Sequence, residues 1–140
     1  MQEFKIEHYI NEMPGNVFPE FYALNQEECR EVVNEIKTIV PGAGDYGNIF
    51  KGIQAACKSA PSTDEELDEI GNVFEALGFS CSDELYLVWD EEQIDKMRID
   101  LFLEHWKDMW YPPSDEVVIC YCRSTGKFVM ITDWGQVFVN

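Results

Sequence analysis

The sequence predicts an α+β fold in which one antiparallel sheet of four or five strands packs against three or four helices. Apolar residues recur at helical spacing through much of residues 26–108, whereas residues 117–139 hold short β-branched and aromatic runs separated by turn signals. The 140 residues, 46% of them hydrophobic, can form one domain with a core but are too few for two ordinary domains. We therefore expect a single domain over 1–140, with the helices on one face of the sheet.

The amino-terminal part predicts a strand followed by two helices. Residues 4–10 alternate well enough to suggest a first strand, which the loop at Pro14-Gly15 ends. Asn25 and Glu28 form a capping pattern for a helix over about 26–40, which Pro41-Gly42 stops. A glycine-rich loop then leads into a second helix near 48–58.

The middle of the chain predicts a helix, a strand and a longer helix. A capping-box pattern at 62–66 precedes a helix that ends at Gly78. Residues 84–89 alternate as a strand. Asp90 is then expected to cap a long helix through about residue 108, with Glu91 and Glu92 in its first turn.

The carboxyl end predicts a three-strand antiparallel meander. Residues 117–122 and 127–132 are strand-like and are separated by the turn Arg123-Ser124-Thr125-Gly126. A second turn at Asp133-Trp134-Gly135 precedes a last strand at 136–139.

Cysteine content and the amino-terminal residues favour a reducing cytoplasm. Five cysteines without paired C-x-x-C spacing indicate neither a disulfide framework nor a zinc site, and Cys120 and Cys122 should share one face of a strand. The first residues carry acids where a secretory signal carries bases, and no apolar run approaches the ~20 residues of a membrane span. We expect no cofactor, no metal and no membrane contact.

The charge excludes a reader of nucleic acid and favours a basic protein partner. Asp and Glu number 27 against 10 Lys and Arg, for a net charge of -17, whereas readers of phosphate backbones need basic stripes. Residues 59–116 hold 17 acids and only 3 bases. Such a concentration would steer association with a basic surface.

The predicted long helix carries the most informative pattern. Asp100, Glu104 and Asp108 form a row of like charges at i, i+4 and i+8, and only the first has a nearby base, Lys96. Repulsion within each adjacent pair should destabilise the helix by about 0.2–0.5 kcal/mol unless a cation neutralises it. Trp106 and Trp110 lie on a flank of the same helix, so either the helix is packed on two sides or it exposes an aromatic patch beside the acidic row.

Two other patterns raise the question of an enzyme. The glycines at 42–47 match G-x-G-x-x-G, but a helix precedes them where a dinucleotide site needs a strand, so we interpret them as a turn. Counted from Ile94 as a helix, Leu101 and His105 fall at the centre of the apolar face, which predicts a core histidine. A pocket joining His105 to a cysteine or carboxylate would instead favour a small enzyme.

The carboxyl end of the chain resembles the carboxyl half of certain small acidic proteins. The resemblance is carried by the segment Trp106-Lys107-Asp108-Met109-Trp110-Tyr111-Pro112-Pro113-Ser114-Asp115, which is followed by a hairpin and by Thr132-Asp133-Trp134-Gly135. Those small acidic proteins are immunity proteins of bacterial polymorphic toxins, including those that protect against contact-dependent growth inhibition. The resemblance covers about the last 35 residues. It implies a cytoplasmic protein without an active site that binds one toxin domain tightly.

Charge and resemblance together predict an immunity-type protein that neutralises a basic toxin domain, such as a nuclease. The expected contact residues are acids and aromatics of the segment 59–116: Asp68, Glu69, Glu75, Asp100, Glu104, Asp108, Trp110, Tyr111 and Asp115. Two alternatives stay open: a small enzyme with a pocket around His105, and an acidic interaction or regulatory domain unrelated to toxins.

Overall fold

A computed structural model describes residues 1–57, 59–60, 70–80, 82–109, 117–132 and 137–139. Within them lie five α-helices: α1 (Glu3–Glu12), α2 (Gln26–Ile39), α3 (Ile49–Ala56), α4 (Ile70–Ala76) and α5 (Ile99–Met109). Seven strands accompany them: β1 (Tyr22–Ala23), β2 (Ser59–Ala60), β3 (Glu84–Asp90), β4 (Gln93–Arg98), β5 (Val117–Cys122), β6 (Lys127–Thr132) and β7 (Val137–Val139). None of the helices described is long and apolar enough to cross a bilayer.

The strands form one antiparallel sheet in the order β1-β4-β3-β5-β6-β7-β2. The α+β class and the carboxyl-terminal meander β5-β6-β7 are therefore confirmed. The sheet has more strands than the four or five expected, because β4 replaces part of a predicted helix and because β1 and β2 are only two residues long.

Helices cover both faces of the sheet, and the expectation of one covered face was wrong. Along β3, Leu85 and Leu87 join a core with α4 and α5, whereas Tyr86 and Val88 join a second core with α2 and α3. β5 and β6 alternate in the same way, and Cys120 and Cys122 do share the α5 side. The physical reason is visible in the central strands, which are nearly continuous apolar runs, as burial on both faces requires.

Residues 4–10 form helix α1 and not the predicted strand. Their buried positions are Lys5 and Tyr9, at i and i+4, while the apolar Phe4 and Ile10 are 40% and 49% exposed. The alternation of apolar residues therefore did not mark a buried face. Packing decides the conformation instead, since the Tyr9 ring lies edge-on to the ring of Phe18, with centroids 5.2 Å apart.

The predicted helix from Asp90 to residue 108 is a hairpin followed by a shorter helix. Asp90 pairs with Gln93 across the β3–β4 turn, and its carboxylate accepts a hydrogen bond from the Glu92 amide at 2.7 Å. The Glu91 carboxylate accepts from the amide of Ile49 at 3.1 Å and so caps α3. These acids stabilise a turn and another helix, and α5 begins only at Ile99.

The remaining helices agree with the prediction. Asn25 and Glu28 form the expected capping box at the start of α2. The glycine-rich loop contains a short 3-10 helix, Ala43–Tyr46, before α3. The predicted helix ending at Gly78 contains α4, whereas its capping box at 62–66 lies outside the described residues.

Candidate partner-binding face

Helix α5 is the central helix of one layer, which we call the α1/α4/α5 layer. On one side the ring of Phe102 stacks on Phe74 of α4, with centroids 6.0 Å apart. On the other side the His105 ring lies edge-on to Tyr9 of α1 at 5.7 Å. Its inward side packs on the sheet, so α5 presents only its outward side to solvent.

The inward side of α5 differs from the predicted one. Its buried residues share helical spacing: Ile99, Phe102, Trp106 and Met109. Ile94, from which the predicted face was counted, belongs to β4 and not to α5, so the buried face of α5 is centred elsewhere. His105 lies at the edge of that face, with 22% of its side chain exposed. Trp106 is only 5% exposed, so this tryptophan packs in the core and forms no exposed patch.

The acidic row lies on the outward side and is only partly compensated. Asp100 forms an ion pair with Arg98. Lys96, the base predicted to neutralise Asp100, pairs instead with Glu84 at 3.3 Å. Glu104 is 70% exposed, and its carboxylate lies 3.7 Å from Nε2 of His105. The carboxylate of Asp108 has no hydrogen-bond or ion-pair partner among the described residues.

Four of the nine predicted contact residues therefore lie in one layer. Glu75 is exposed on α4, and Asp100, Glu104 and Asp108 follow α5. The other five predicted contacts, Asp68, Glu69, Trp110, Tyr111 and Asp115, lie outside the described residues.

Sequence reasoning missed the contribution of α1. A groove of about 290 Å³ lies between α1 and the end of α5, lined by Phe4, Lys5, Glu7, His8, Asn11, Asp108 and Met109. Reading 4–10 as a strand concealed this stripe, whereas testing the same residues for spacings of three and four would have shown it.

The surroundings of Tyr9 show the electrostatics of this junction. Its hydroxyl lies 3.4 Å from Nδ1 of His105. Burial raises the pKa of the Tyr9 phenol, and the negative charges of Asp108 and Glu104 raise it further. Two carboxylates of α5 thus act on the hydroxyl that joins α1 to α5.

The two patterns that raised the question of an enzyme, His105 and the glycine-rich loop, lie in different parts of the fold. His105 contacts Tyr9 and Glu104, both at the α1–α5 junction. In the part of the chain that the structure describes, no group of three His, Cys, Asp or Glu residues could hold a metal ion. The loop at 42–47 follows α2 directly, and Gly42 and Gly47 adopt positive φ, as in a turn.

A polar cluster on the opposite side of the sheet has a structural role. Arg123 donates to both carboxylate oxygens of Glu35 at 2.8 and 3.0 Å and to the Tyr86 hydroxyl at 2.7 Å, and the Tyr121 hydroxyl donates to Glu35 at 2.9 Å. Burial is the largest cause that raises the pKa of the Tyr121 phenol, and the hydrogen bond to Glu35 raises this pKa further. The cluster fastens the β5–β6 hairpin to α2, and its polar groups satisfy one another.

No protein family, characterised protein or solved structure matches this chain in the comparisons made.

Proposed function

We propose that this chain is a cytoplasmic immunity-type protein that neutralises a basic toxin domain, such as a nuclease, by binding it through the α1/α4/α5 layer. One observation carries the proposal: exposed and half-buried carboxylates of α1, α4 and α5 lie in one helical layer, and within the part of the chain that the structure describes most lack a lysine or arginine partner. Glu7 and Asp108 have no ion pair among the described residues, and Glu104 has only a histidine beside it.

The charge of the whole chain supports the same partner. A net charge of -17 attracts a basic domain over a distance of about one Debye length and raises the association rate. Carboxylates that repel one another in the free protein gain favourable contacts when a cationic surface covers them. The complex should therefore form rapidly at low salt and more slowly as salt is added.

The test begins with the genome. An immunity gene should lie directly downstream of a large toxin gene, so the carboxyl-terminal domain of that upstream product is the domain to purify. Co-expression with this chain should restore growth of cells that produce the domain. Binding measured at about 50 and 500 mM NaCl should show an association rate at least tenfold lower at high salt.

A matched pair of charge reversals locates the interface. Asp100→Lys with Glu104→Lys should weaken binding by about a hundredfold or more, because each lost or repelled charge pair changes affinity by a kcal/mol or more. Glu27→Lys with Glu31→Lys makes the same charge change on exposed positions of α2, in the opposite layer, and should have a much smaller effect. Equal effects of the two variants, or affinity and association rate independent of salt, would overturn the proposal.

An acidic interaction domain unrelated to toxins would use the same surface. It would bind a basic protein with the same salt dependence but would not restore growth in the toxin experiment.

A further inference from the structure

The groove between α1 and α5 has the dimensions of a site for one side chain. Its volume, about 290 Å³, lies just below the range of pockets that take drug-sized ligands. One wall is a stripe on α1 formed by Phe4, Glu7, His8 and Asn11, at i, i+3, i+4 and i+7. Asp108 and Met109, at the end of α5, form the other wall.

The groove presents an aromatic ring and two carboxylates beside the polar side chains of His8 and Asn11. Phe4 is 40% exposed although it belongs to a helix that buries Lys5 and Tyr9. The side-chain carboxylates of Glu7 and Asp108 have no hydrogen-bond or ion-pair partner among the described residues.

The cation at the floor of the groove is turned towards the core. Lys5 is 1% exposed and donates to the Met109 carbonyl at 3.0 Å. Its Nζ lies 3.5 Å from the centroid of a Trp89 ring and 5.9 Å from the centroid of the Phe4 ring. The carboxylates of Asp108 and Glu104 act on the same junction, since both raise the pKa of Tyr9.

We propose that this groove holds an arginine side chain of the basic partner, an inference that rests on the proposed function. A planar guanidinium can donate to the carboxylates of Glu7 and Asp108 and stack on the ring of Phe4 in one pose. Lysine, a compact and strongly hydrated point charge, would match the ring and the two carboxylates less well. The groove therefore anchors arginine in preference to lysine.

The probe is N-acetyl-arginine amide, titrated into the isotope-labelled full chain and followed by amide resonances. We expect saturable shifts centred on Phe4, His8, Asn11 and Asp108, with a dissociation constant in the millimolar range of a single side chain. N-acetyl-lysine amide should bind more weakly. N-acetyl-citrulline amide, which has nearly the same shape without the charge, should leave these resonances in place.

Variants test the groove directly. Glu7→Gln with Asp108→Asn should weaken binding of the arginine probe by about tenfold, the loss of about 1.4 kcal/mol. Phe4→Leu should weaken it by about two- to fivefold, as loss of an exposed cation–π contact predicts. Glu12→Gln changes an exposed acid of α1 that does not line the groove, and it should bind the probe as the parent does. Circular dichroism verifies that each variant is folded.

Three results would overturn the inference: equal shifts with citrulline, unchanged affinity in the Glu7→Gln/Asp108→Asn variant, or shifts spread over acids outside the groove. One of these results could occur although the toxin domain binds the chain and Asp100→Lys/Glu104→Lys abolishes that binding. The groove would then not be an arginine site, and the proposed function would stand. If the arginine probe binds in the groove but no toxin domain binds the chain, the proposed function fails and the specificity of the groove stands.

Discussion

The ammonium group of Lys5 joins three elements at one buried point. It donates to the last carbonyl of α5 and lies over the indole of Trp89 in β3. The indole nitrogen in turn donates to the fully buried Asp95 of β4 at 2.8 Å, and Asp95 is paired with the amino group of Met1. A cation at this place also complements the negative end of the α5 dipole.

Lys5→Met should destabilise the fold although it keeps the length of the side chain. The Met109 carbonyl loses a charged donor, while removal of a desolvated charge offsets part of the loss. We expect the free energy of unfolding, measured by urea denaturation, to fall by about 1–3 kcal/mol. Lys51→Met, at an exposed position of α3, should change it by less than about 0.5 kcal/mol, and equal losses would contradict this role of Lys5.

At the scale of elements, α3 approaches the preceding 3-10 helix through a glycine. A Cβ added at Gly52 would overlap the backbone oxygen and Cα of Ala43, which is itself fully buried. The close approach fixes where α3 lies on the sheet. Gly71 in α4 provides a contrast, since among the described residues a Cβ there would meet only the methyl groups of Leu103, 4.0 Å away.

Gly52→Ala and Gly71→Ala should therefore have opposite effects. Alanine favours a helix over glycine by about 1 kcal/mol, which Gly71→Ala should gain in part. At Gly52 the overlap with backbone atoms outweighs that gain, and we expect a net loss of about 1–3 kcal/mol. Thermal and urea unfolding of both variants provide the test, and a stable Gly52→Ala variant would contradict the packing described here.

Two elements show why local patterns were insufficient. The alternation at 4–10 fits a strand, but no neighbouring strand pairs with it among the described residues, and α5 supplies a surface on which a helix can bury Tyr9. In residues 93–98, the i, i+3 spacing of Ile94 and Met97 fits a helix. Pairing with β3 makes the segment a strand, in which the two side chains lie on opposite faces of the sheet, each in one core.

For the whole molecule, the important feature is a sheet buried between two helical layers. Strands β3, β5 and β6 lie at its centre, and nearly all their residues are buried. The two-residue strands β1 and β2 form its edges. Short edge strands limit pairing with other chains. Local unfolding of the sheet should begin at these two strands.

Hydrogen exchange followed residue by residue tests this arrangement. The amides of residues 85–88, 118–121 and 129–131 should exchange most slowly, through opening of the whole fold. Amides of β1 and α1 should exchange by local opening, at least a hundredfold faster. Equal protection of α1 and β3 would contradict an α1 held mainly by a few contacts to α5 and β3.

The fold class, helices α2 and α3, the carboxyl-terminal meander and the acidity of the chain could all be predicted from the residues alone. Capping and turn residues act locally, and charges add up whatever the fold. Long-range packing was needed to show that 4–10 is a helix, that 93–98 is a strand, and that both faces of the sheet are covered. It also decided that Glu7 of α1 and Asp108 of α5 line one groove, since contacts between residues a hundred positions apart depend on how the layers pack.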